Sequence, residues 1–92
     1  MAVIRISHFE AKRDTAQQLN AFMKDVVRKV QTLPGCHSVQ LLRSTEDPRQ
    51  FAIVEEWDSI EAHQKAATAI PADQLVRAQQ LVARPPVGGY YQ

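Results

Sequence analysis

The sequence predicts an α+β domain in the order β-α-β-β-α-(α)-β, a four-stranded antiparallel sheet with its helices on one face. Three observations carry this. Leu19, Phe22, Met23, Val26, Val27, Val30 and Leu33 fall at offsets 3, 4, 7, 8, 11 and 14 from the first, one stripe of an α-helix. Short runs rich in β-branched and aromatic residues stand on either side of that helix, two of them joined by a polar turn. The chain has 92 residues, 45% hydrophobic and 23% charged, the size and make-up of one packed unit spanning residues 1–92.

Each element has its own signal. Residues 3–9 are apolar and β-branched and form the first strand. Asp14 or Thr15 offers an N-cap for the helix, with Gln17 and Gln18 each three residues on, as in a capping box. Leu33-Pro34-Gly35 stops the helix, because proline disfavours helical geometry in its predecessor and glycine supplies the reversal. Residues 36–44, with Val39, Leu41 and Leu42, form the second strand, and the turn at 45–49 leads into a third at 51–57. Asp58-Ser59 with Glu61 starts a second helix carrying Ile60, His63, Ala66, Ala67 and Ile70. Pro71 breaks it. A third helix over 72–82 places Leu75, Ala78 and Val82 on one side, Arg84-Pro85-Pro86 ends it, and residues 87–91 form the last strand.

This order is the split β-α-β, or ferredoxin-like, arrangement. Right-handed crossovers put the helices on a single face of the sheet. Yet both faces of the central strands are apolar. Val3 and Phe9 share a face with Arg5 and Ser7 while Ile4 and Ile6 lie opposite; Phe51, Ile53 and Trp57 share a face while Ala52 and Val54 lie opposite. A sheet with a solvated side alternates more cleanly. A small chain also needs extra burial, so a homodimer packed sheet against sheet is expected.

Composition removes several function classes. Eleven basic against ten acidic residues leave a net charge of +1, with no excess to attract nucleic acid or an anionic membrane. The apolar runs are too short to span a bilayer and no basic leader precedes them, so a cytoplasmic protein is expected. Cys36 is the sole cysteine, without a disulfide or redox partner, and reads as a small buried hydrophobe. His8, His37 and His63 show no metal-ligand spacing, and Gly88-Gly89 is not a dinucleotide loop. Neither metal nor cofactor is indicated. Glu55 and Glu56, adjacent on a strand, diverge and do not form a catalytic carboxylate pair.

The segment Phe51-Ala52-Ile53-Val54-Glu55-Glu56-Trp57-Asp58-Ser59-Ile60-Glu61-Ala62-His63 resembles the central signature of the antibiotic biosynthesis monooxygenase (ABM) domains. Leu33-Pro34-Gly35-Cys36 and Pro85-Pro86 before Tyr90-Tyr91 occur at matching places, so the resemblance covers essentially the whole chain. It implies a dimeric α/β barrel. Relatives of this kind oxygenate aromatic polyketides or quinols with O2 and no metal or flavin; others cleave haem or isomerise phosphorylated sugars. The haem-degrading branch uses an Asn on strand one, a Trp on the second helix and a His on the third. Here those places hold Ser7 and Ala66, and the third helix has no His, which argues against haem chemistry.

In the polyketide-oxygenating branch the pocket carries Asn, Trp, Tyr and Arg, which fall on Ile53, Trp57, His63 and Arg77; Trp57 and Arg77 agree, Ile53 and His63 depart. The resemblance thus implies a monooxygenase taking O2 and a small phenolic, quinol or polyketide-like substrate. In it His63 assists deprotonation, Arg77 holds the anionic oxygen and Trp57 forms an apolar wall. Arg5, Ser7 and Ile53 are further candidates for the pocket lining. Small Ala66, Ala67 and Ala69 near His63 would leave space for a ligand. Each candidate has a plainer reading: Trp57 as a packing anchor, His63 as a satisfied core residue, and Arg77 as a surface charge. An isomerase or lyase on the same fold and a non-catalytic ligand-binding dimer are the rival expectations.

Overall fold

The computed structural model describes residues 2–92. In chain order it contains β1 (Val3–Glu10), α1 (Ala16–Val30), β2 (Cys36–Arg43), β3 (Gln50–Trp57), α2 (Ile60–Ala67), α3 (Ala72–Leu81) and β4 (Val87–Tyr91). The strands form one antiparallel sheet in the order β2-β3-β1-β4. This is the ferredoxin-like α+β fold that the sequence predicts, with every element in its expected place. The second helix is shorter than its apolar pattern suggests: residues 68–70 form a turn before Pro71.

Register decides which side chains meet. Phe9 pairs with Phe51 across β1 and β3, and their rings stack 5.4 Å apart. Around them Leu19, Ile53, Leu81 and Val82 close the core between the sheet and helices α1 and α3. Leu19, in the first turns of α1, is completely buried. Glu10, at the end of β1, ties this edge together by bonding Arg49 at 2.9 Å and Arg84 at 2.7 Å.

Two local details differ from expectation or refine it. Thr15 occupies the N-cap of α1, but no side chain caps the helix. Its hydroxyl instead reaches the carbonyl oxygens of Lys12 and Leu81, each at 2.9 Å, because the chain entering α1 runs past the end of α3, where the Leu81 carbonyl also accepts the Lys12 N–H at 3.0 Å. Ser59 does cap α2, accepting from the Ala62 N–H at 3.1 Å. Gly35 makes the reversal after α1 with φ of 87°, and a Cβ there would lie 2.8 Å from Ala62 Cβ, so the turn needs glycine both for its backbone and for the approach of α2.

The helices cover one face of the sheet only. On the other, Ile4, Ile6, Ala52 and Val54 form a central apolar strip, flanked by Leu42 and Tyr91, which are 43% and 55% exposed. No helix among the described residues is long and apolar enough to cross a membrane.

Candidate active site

Alternation along three strands and one helical contact assemble a polar cluster beneath α2. Arg5 is the cross-strand partner of Glu55 on one side and of Tyr90 on the other. All three therefore project toward the helices, with their Cβ atoms within reach of each other. His63 comes from α2, whose start is fixed by Ser59, and enters between Tyr90 and Trp57. Its Nδ1 lies 2.6 Å from the Tyr90 hydroxyl, and its Nε2 lies 3.9 Å from Glu55 Oε1. That same carboxylate oxygen accepts the indole N–H of Trp57 at 2.8 Å. Both aromatic rings meet the imidazole edge-on, at centroid distances of 5.4 Å.

Arg5 completes the cluster. Its guanidinium carbon stands 4.7 Å from the centre of the Tyr90 ring, and its Nε donates to Ser7 Oγ at 3.3 Å. Gly88 makes room for it, since a Cβ there would fall 2.6 Å from Arg5 Nη2 and 2.8 Å from Ser7 Oγ. Among the described residues no carboxylate forms an ion pair with Arg5.

Burial sets the protonation states. It pushes the Glu55 carboxyl above its ordinary range, against the smaller opposing effects of the Trp57 hydrogen bond and the Arg5 charge. Burial also lowers the pKa of His63, and the Arg5 charge adds to the effect. His63 is therefore a neutral imidazole near neutral pH, with one nitrogen able to take a proton. Cys36 is half-buried, and that burial raises its thiol pKa, which keeps it from serving as a nucleophile.

Beside the cluster lies a cavity of about 210 Å³ between the sheet and helices α1 and α3. Phe9, Ile53 and Ser7 form its sheet wall, and Phe22, Met23 and Leu75 face them. Ser7 belongs to both places: it lines the cavity and bonds Arg5. The candidate residues thus sort by position. Ser7 and Ile53 line the cavity, while Arg5, His63 and Trp57 gather behind Ser7. Trp57, only 1% exposed, is not among the cavity walls and holds Glu55 from below. Ala66 and Ala69 leave their space on the outside, in an open groove against Leu33-Pro34-Gly35.

Arg77 is not brought in. At about 100° per residue, the cavity edge of α3 runs through Gln74, Leu75 and Ala78, and Arg77 turns to the flank, where it is exposed. Two members of the cluster, Glu55 and Tyr90, are not among the candidate site residues that the sequence offers, and Glu55 is weighed there only as half of a carboxylate pair and set aside. Glu55 carries a signal, a charge on the same strand face as Ile53 and Trp57. Tyr90 carries none until the pairing of β4 with β1 places it opposite Arg5. Among the described residues no three His, Cys, Asp or Glu side chains converge as a metal ion requires.

The family model for antibiotic biosynthesis monooxygenases matches residues 2–70, a span that holds Arg5, Ser7, Ile53, Glu55, Trp57 and His63. The chain belongs to this family. Solved structures agree with the fold. Rv0793 from Mycobacterium tuberculosis is 19% identical with a TM-score of 0.86, covering 100% of this chain and 94% of its own. A conserved protein from Methanosarcina mazei Go1 is 13% identical with a TM-score of 0.89, covering 100% and 92%. SnoaB, a cofactor-independent oxygenase from Streptomyces nogalater, is 15% identical with a TM-score of 0.82, covering 99% and 91%. No curated protein sequence matches. Tyr90 and Arg77 lie beyond the matched ABM segment.

Proposed function

We propose that this ABM-family protein is a cofactor-independent monooxygenase that combines O2 with a small phenolic, quinol or polyketide-like substrate. One observation carries the reading: a neutral, half-buried imidazole and a guanidinium that no carboxylate among the described residues bridges stand together behind Ser7, at the wall of an apolar cavity. The cavity would receive the flat apolar body of the substrate. At about 210 Å³ it is smaller than the roughly 300–1,000 Å³ usual for ligand pockets, which favours one or two rings.

His63 is the proton acceptor in this reading, and Arg5 takes the place that the family resemblance gives to Arg77, holding the oxygen that becomes anionic. Ser7 orients Arg5, and Trp57 fixes Glu55. Loss of the phenolic proton leaves an electron-rich anion able to reduce O2, so the substrate is its own reductant. A ring C–H para to the phenolic hydroxyl becoming a carbonyl, so that the phenol becomes a quinone while the second oxygen atom leaves as water, balances with O2 as the sole oxidant. The bare strip of Ile4, Ile6, Ala52 and Val54 supports a homodimer joined through the sheet face, each copy keeping its own cavity.

Oxygen uptake with a panel of quinols and dihydroxynaphthalenes tests the assignment. Uptake that falls in His63→Ala and in Arg5→Ala supports it. No uptake with any member, or unchanged rates in both variants, refutes it.

A further inference from the structure

We propose that Gln74 is the specificity-determining residue of the cavity, bonding a second oxygen at the outer end of the substrate, so that the site selects two-ring phenols with oxygens at opposite ends. The proposal rests on the reading of the cavity as the place where a phenolic substrate binds, and it narrows that class.

The cavity offers a ligand few polar groups. Among the described residues, Ser7 and Gln74 are the only polar side chains that line it. They stand on different walls, Ser7 on β1 of the sheet and Gln74 on α3. Ser7 Oγ accepts the Arg5 Nε–H at 3.3 Å, which leaves its own O–H to donate to a ligand oxygen. Gln74, with Val26 and Ile70, also lines the groove that lies beside the cavity, between α1 and the α2–α3 turn. It therefore stands where the cavity opens into that groove. The cavity's other boundary, at Leu75, Ala78, Val82 and Pro86, is apolar and gives an oxygen no side-chain partner.

The amide has no work within the fold. Gln74 is the third residue of α3, whose N-cap is Pro71. A glutamine at this position ordinarily reaches back to the N-cap backbone N–H, and proline has none. The Gln74 side chain is half-buried, and among the described residues no hydrogen bond engages it. No buried side-chain nitrogen or oxygen among them lacks a partner, so the free amide atoms are open to the space that Gln74 lines. An amide both donates and accepts, which suits a hydroxyl. A substrate with its first oxygen at Ser7 and its second at Gln74 spans the cavity from the sheet to the opening, and the apolar side chains between them take its ring faces.

Calorimetric titration of the intact protein under nitrogen, where nothing is oxidised, tests this with three probes: 1-naphthol, 1,5-dihydroxynaphthalene and 1,8-dihydroxynaphthalene. The second carries its oxygens at opposite ends and the third carries both on one edge. Wild type should bind 1,5-dihydroxynaphthalene about tenfold more tightly than either of the others. Gln74→Leu should lose that preference and bind 1-naphthol as wild type does. Equal affinities for the three probes in wild type, a comparison that needs no variant, overturn the proposal, as does a preference that survives in Gln74→Leu. Equal affinities in a protein that consumes oxygen once air is admitted leave the oxygenase reading standing. The expected preference with no oxygen uptake in air sinks the oxygenase reading and leaves the assignment of Gln74 standing.

Discussion

His63 is neutral in the folded chain because burial and Arg5 both oppose its charge, and this has a consequence for stability. Its ordinary pKa is near 6.5, and the folded value lies below that. Between the two, the unfolded chain holds the extra proton, so stability falls as pH drops from about 6.5 through the folded value. Glu55 acts in the opposite sense: its folded pKa is raised, so its contribution is present below the ordinary carboxyl value and fades as pH rises through the folded one. His37 also opposes His63, since its bond to Asp58 raises its pKa and gives stability that is lost as pH rises. Comparing wild type with His63→Gln cancels both. Urea midpoints measured on either side of pH 6.5 should show the variant losing less stability in acid than the wild type; equal losses would contradict the placement of His63. At this scale Trp57, His63, Ser7 and Arg5 were legible in the sequence because strand parity and helical spacing fix where each side chain points. Tyr90 was not, because its role depends on which residue of β1 it pairs with, and register is a tertiary fact.

At the scale of elements, the turn between α1 and β2 controls how α2 sits on the sheet. Gly35 has a positive φ, its carbonyl accepts the Asp58 N–H at 2.8 Å, and Ala62 of α2 rests against its bare Cα. Gly35→Ala should therefore cost about 1–3 kcal/mol, read as a lower urea midpoint with an unchanged slope; a change within error would mean that α2 is not held by this turn. Nearly all the elements could be read from the chain, since Pro34, Gly35, Pro71 and Pro85 punctuate it and the stripe of α1 is unambiguous. The orientation of α3 was harder. Its apolar residues are few, and a one-residue difference in the edge it presents separates Ala78 on the cavity from Arg77 in solvent. The charge that the resemblance would place in the pocket comes instead from β1, where alternation alone puts Arg5 on the inner face. The missing Thr15 cap has a similar cause, because its hydroxyl turns to two carbonyls, one of them at the distant end of α3.

For the whole molecule, the two-faced sheet was the clearest inference from sequence, and the uncovered strip of Ile4, Ile6, Ala52 and Val54 is where it leads. A pair of chains joined there should sediment at twice 10.4 kDa, and Val54→Lys, placing a charge in the middle of the strip, should sediment as the single chain. Wild type that is monomeric and folded at micromolar concentration would contradict the paired sheet. Such pairing would leave the cavity and the cluster behind Ser7 on the opposite, helix-covered side, complete within each copy. The activity assigned to that site is tested most directly by supplying heavy-isotope dioxygen to the enzyme with a quinol that it turns over, and weighing the product. The account predicts one labelled oxygen atom in each product molecule and no turnover without oxygen. Unlabelled product, or turnover that persists anaerobically, would contradict it.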